Sequence, residues 1–140
     1  SCGIKLVFVD YLQLVTASTG SKGTREQEVS KVARALKNLA KELSITIVAL
    51  SQLNRGVGFR AESKPTLSDL RESGEIEQAA DVVALVYRPE YYGINTNENG
   101  ESTQGQAQII FAKGRNIGVG TVTLNFISEL TKFKENTLDF

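Results

Sequence analysis

The 140-residue sequence has no histidine, no methionine and a single cysteine, Cys2. One thiol cannot form an internal disulfide, and without histidine or a second cysteine nearby a zinc site has no ligand set. No apolar run is long enough to span a bilayer, and no signal peptide is evident, so the chain reads as cytosolic with no membrane partner. It also lacks an excess of either charge: 16 Lys and Arg balance 16 Asp and Glu. That balance excludes a generally basic, tail-like nucleic-acid binder, but not a local basic patch. The start at Ser-Cys-Gly, with a strand almost immediately after it, reads as a piece of a longer polypeptide.

What is present is the patterning of one α/β domain spanning residues 1–140. Residues 4–9 are an apolar run ending in Asp10, the pattern of a buried parallel strand. Thr16 to Gly23 reads as a loop. Thr24-Arg25-Glu26-Gln27 has capping-box spacing and predicts a helix start. Val29, Val32, Ala33, Leu36, Leu39, Ala40 and Leu43 then form one apolar stripe, with Lys31, Arg34, Lys37 and Lys41 on solvated faces. Residues 45–50 predict a second buried strand, parallel to the first. A Gly-rich loop with Arg55, Arg60 and Lys64 follows. Then come a short helix through Glu75 to Ala79 and a third strand over residues 82–87. Beyond a polar excursion, residues 106–113 and 121–126 flank a Gly-rich turn and predict an antiparallel hairpin, with a last short strand near Thr131 to Phe133.

Four places carry chemistry, each with two readings. Asp10 at a strand's C-terminal end is either a turn residue or, as in a Walker B strand, a carboxylate that orients water on Mg²⁺ beside nucleotide phosphates. Gln52 at the end of the next strand is either a loop polar group or an amide that reports a terminal phosphate. Lys113 and Arg115, two residues apart, are either charges that discourage edge pairing or cations on one face that reach a neighbouring subunit's triphosphate. Arg71-Glu72-Ser73-Gly74 is either a capped helix start or a phosphate-holding loop, with Gly74 allowing close backbone approach. No G-x-x-x-x-G-K-[ST] phosphate loop occurs anywhere in the chain.

Taken in order, residues 9–14 (VDYLQL), 49–55 (ALSQLNR), 67–78 (LSDLRESGEIEQ) and 112–116 (AKGRN) resemble the successive motifs of the DnaB-family replicative helicases, and Arg88-Pro89-Glu90-Tyr91-Tyr92 also fits. The resemblance covers nearly the whole chain. It implies a RecA-like P-loop NTPase core, here partial: a mainly parallel sheet flanked by helices, with a C-terminal antiparallel hairpin. It implies ATP and Mg as cofactors and a ring-shaped homo-hexamer around single-stranded DNA, moving 5′ to 3′ with primase and a helicase loader as partners. By the same resemblance Asp10 is the Mg-side aspartate and Gln52 the sensor. Lys113 and Arg115 act in trans, and Arg71, Glu72 and Gly74 follow the DNA backbone. The phosphate loop, its lysine and the water-activating glutamate are expected before Ser1, so the chain alone is expected to be inactive. Two positions depart from the family: Gly114 where histidine is common, which is expected to loosen the finger segment, and Ala79 where aspartate is common. Competing readings are a non-catalytic module that binds single strands or a subunit, and a RecA-type recombination, repair or circadian-clock ATPase.

Overall fold

A computed structural model describes residues 3–15, 24–54, 56–57 and 64–136, without the side chains of residues 71–74. The expected loops over residues 16–23 and around Arg55 and Arg60 lie outside the described residues, as does Cys2. The chain divides into two compact units, residues 1–54 with 68–81, and residues 55–67 with 82–140.

The first unit begins with β1 (Leu6–Val9), a 3-10 turn (Leu12–Leu14), α1 (Arg25–Glu42) and β2 (Thr46–Ala49). β1 and β2 pair in parallel, in register from Leu6 opposite Thr46 to Val9 opposite Ala49. The ladder runs on past the strands: Leu50 N–H donates to Val9 O and Leu12 N–H to Leu50 O, both at 2.9 Å. α1 starts where its sequence predicts. The Thr24 hydroxyl accepts from Gln27 N–H while the Gln27 side chain accepts from Thr24 N–H, so two otherwise orphaned donors are satisfied reciprocally. Leu12, Val29, Val32, Ala33 and Ile76 form the core, with Val9, Leu36 and Ala79 packed against it.

Two expectations change here. The strands are not buried on both faces: Leu6 is 47 % exposed and Phe8 68 %, whereas Val7 and Val9 are half-buried. Alternation follows because only one face of the pair packs on the core. The α1 stripe is likewise buried only in its first half, where it meets Leu12 and Ile76; Leu39 and Leu43 are exposed. A 3-10 segment (Leu67–Ser73) leads into α2 (Gly74–Ala79), which lies against α1 through Ile76 and Ala79.

The second unit is a four-stranded antiparallel sheet in the order β3 (Val82–Tyr87), β4 (Gln106–Gly114), β5 (Gly120–Ile127) and β6 (Lys132–Lys134). The expected β4–β5 hairpin is present and extends to a sheet, because β3 and β6 add to its two sides. β3 alternates strictly: Val83, Leu85 and Tyr87 are buried, while Val82, Ala84 and Val86 are exposed. Its register with β4 shifts between Val83, opposite Lys113, and Ala84, opposite Phe111. That leaves Ala112 as the extra residue of a bulge. The excursion before β4 is ordered by its own polar groups. Glu90 accepts from Gly105 N–H at 2.9 Å, and the Asn97 side-chain oxygen accepts from the N–H groups of Asn99 and Glu101.

Candidate functional site

The parallel pairing of β1 and β2 brings the segments of Asp10 and Gln52 to neighbouring strand ends. Asp10 directly follows β1 and is exposed; Gln52 lies three residues past β2 and is exposed. Exposure leaves both polar side chains open to a ligand at the crevice beyond the strand ends, the usual binding position in open α/β sheets. One carboxylate and one amide oxygen are hard donors of the kind Mg²⁺ accepts. Among the described residues no group of three or more His, Cys, Asp or Glu side chains is placed to hold a metal ion.

Between these two segments lies a residue that sequence reasoning passed over. The Gln13 side chain donates to Ser51 Oγ at 3.1 Å and to Gln52 O at 3.3 Å, and accepts from Gln52 N–H at 3.3 Å. Its main-chain oxygen accepts from the guanidinium of Arg25, which also pairs with Glu28 at 2.7 Å. In the sequence Gln13 is marked only by its place within the 9–14 motif, three residues after Asp10. Further on, Asn54 N–H donates to Asp69 O at 3.1 Å, tying the segment after Gln52 to the one preceding Arg71.

Arg71 and Glu72 lie on the 3-10 segment, and Gly74 is the first residue of α2; their side-chain placement lies outside the description. This stretch is held to α1 by two ion pairs absent from the sequence reading: Arg34 with both carboxylate oxygens of Glu75, and Lys37 with Asp81. The Glu75 hydrogen bond, and then its charge, raise the Arg34 pKa above its ordinary value. An open groove of about 270 Å³ beside these pairs is lined by Arg34, Lys37, Asn38, Glu75, Gln78 and Ala79. None of the expected site residues lines it.

Lys113 and Arg115 belong to the second unit. Lys113 is half-buried on β4, but β4 ends at Gly114, and Arg115 is exposed in the bend that follows. Strand alternation therefore does not extend to Arg115. Gly114 here admits a close approach: a Cβ on it would lie 2.5 Å from both the main-chain oxygen and the Cγ1 of Ile117.

The model of the DnaB-like helicase C terminal domain matches residues 1–135. The chain belongs to this family. A replicative DNA helicase of Bacillus subtilis, DnaC, is 50 % identical over 94 % of the chain, and the Geobacillus stearothermophilus replicative helicase DnaB is equally similar. The chain spans 28 % of the length of either relative. A solved structure described as a DnaB-like replicative helicase and its interactions with primase superimposes with a TM-score of 0.84 at 39 % identity, covering 96 % of this chain and 31 % of that one. A second, an ATPase domain, gives the same TM-score and covers 46 % of that domain. The DnaB-like chain thus has the RecA-like fold expected of it, and no helix among its described residues is long and apolar enough to cross a membrane.

Proposed function

We propose that residues 1–140 are a single domain, the later part of a replicative helicase motor, and that its strand ends form one side of an ATP site. The observation that supports this reading is the parallel pairing of β1 with β2, which brings the segments that follow them, carrying Asp10 and Gln52, to neighbouring strand ends in a DnaB-like chain.

In this reading Asp10 orients water on the Mg²⁺ side of a bound nucleotide, and the Gln52 amide bonds the terminal phosphate. Bound ATP with Mg²⁺ supplies the phosphoryl group whose hydrolysis drives movement. Lys113 and Arg115 neutralise charge on a nucleotide held by an adjacent subunit, which calls for a ring, a homo-hexamer by family likeness. Arg71, Glu72 and Gly74 contact the backbone of single-stranded DNA threaded 5′ to 3′ through it. Primase and a loader are its partners, and the cytoplasm its compartment. Because the sequence contains no phosphate loop, the chain alone lacks the backbone N–H groups and lysine that cradle β- and γ-phosphates, and does not turn over ATP.

Forked-duplex unwinding by the full-length polypeptide tests the proposal. Strand separation should require ATP, Mg²⁺ and a 5′ single-stranded tail, and should vanish with Asp10→Asn. Unwinding that persists in Asp10→Asn, or turnover by the isolated chain, overturns it.

A further inference from the structure

Gln13 uses nearly all of its hydrogen-bonding capacity on one short segment. A primary amide has two donors and one acceptor oxygen. Here Nε2 reaches Ser51 Oγ and the carbonyl of Gln52, while Oε1 takes the N–H of that same Gln52. The last β1–β2 ladder bond runs from Leu12 N–H to Leu50 O. Past that point the Gln52 main chain has run beyond both strands, and the Gln13 side chain supplies the bonding pattern of a further strand residue. The turn carrying Gln13 is itself anchored to the start of α1 through Arg25.

We propose that Gln13 is a positioning residue of the nucleotide site: its amide fixes the main chain of Gln52 relative to Asp10, leaving the Gln52 side chain turned out for the terminal phosphate. This rests on the reading of Gln52 as a phosphate sensor. The chemistry is specific to an amide of this length. Alanine removes all three bonds. Glutamate keeps the shape and the acceptor for Gln52 N–H, but sets a carboxylate oxygen against the Gln52 carbonyl. Asparagine is one methylene shorter. The main chain of Gln52 is held without any demand on its side chain, so the two residues act on one function in series.

The test is DNA-stimulated ATP hydrolysis by the full-length polypeptide carrying Gln13→Ala, Gln13→Glu, Gln52→Ala and Gln13→Ala with Gln52→Ala. Both Gln13 variants should lower kcat by about tenfold or more, since small misplacement of a reacting contact is costly. KM for ATP should change less than kcat does, because one misplaced contact to the terminal phosphate costs most where charge develops in the transition state. The double variant should be no slower than Gln52→Ala alone, which is the signature of two residues serving one contact. A residue of purely structural role would lower the thermal midpoint and give additive losses. Gln13→Glu guards against a Gln13→Ala chain that fails to fold. If Gln52→Ala slows turnover but the Gln13 variants keep full kcat, or their losses add, the inference is overturned while the sensor reading stands. If Gln52→Ala itself is harmless, both fall.

Discussion

The guanidinium carbon of Arg88 lies 3.8 Å from the centroid of the Phe126 ring, and Phe126 in turn meets Phe133 edge-on with ring centroids 5.0 Å apart. This stack joins the end of β3 to β5 and β6. Phe126 is 8 % exposed, so the cation sits against a ring largely withdrawn from water.

Arg88→Ala should therefore destabilise the sheet by about 1–2 kcal/mol, the range for a partly desolvated cation–π contact. Arg88→Lys should recover only part of this, because an ammonium does not stack flat on a ring. Denaturant midpoints of the three proteins check the order wild type, lysine, alanine.

The Arg34–Glu75 pair makes a prediction about salt rather than about size. Arg34 is exposed, so its attraction to Glu75 is screened. Arg34→Ala and Glu75→Ala should each lower the thermal midpoint slightly at low salt, with the double variant less than additive, and the coupling should fade in high salt. The pKa of Arg34 is raised in the fold. A raised value contributes stability that is fully present below the ordinary arginine pKa and lost only as pH climbs above it. Between about pH 6 and pH 9 this pair should thus give no slope to stability from arginine. A double-mutant cycle at two ionic strengths, repeated at two pH values within that window, reads out both statements.

Gly114 should resist replacement. Any side chain must displace the main chain of Ile117, so Gly114→Ala should cost about 1–3 kcal/mol, as overpacking does. Gly114→His should likewise lower stability, since its Cβ meets the same atoms of Ile117. Thermal unfolding of the two variants against wild type measures it, and an unchanged midpoint for alanine would show that the bend relaxes freely.

Local chemistry was readable in the residues. Thr24 and Gln27 announced the start of α1, and the apolar runs flanking residues 114–120 gave β4 and β5 nearly to the residue. Those signals depend on neighbours within a few positions. The parallel pairing of β1 with β2 was also legible, because a strand, a helix and a strand leave little choice of pairing. What stayed hidden depends on contacts distant in sequence. The Gln13 amide meets a segment 38 and 39 residues away, and Arg34 meets Glu75 across 41. Neither polar residue differs, in a string of letters, from one facing water. An unbroken apolar run also does not say which of its faces the same chain covers: Leu6 and Phe8 are exposed here, while Val7 and Val9 are half-buried.

The most direct test of the central claim is the ATP turnover of the full-length polypeptide carrying Asp10→Asn, with nucleotide binding measured separately on the same protein. The expected result is nucleotide still bound and a kcat lower by about a hundredfold or more, the usual consequence of removing one charge-stabilising group from a reaction centre. An Asp10→Asn protein that hydrolyses ATP at the wild-type rate would contradict it.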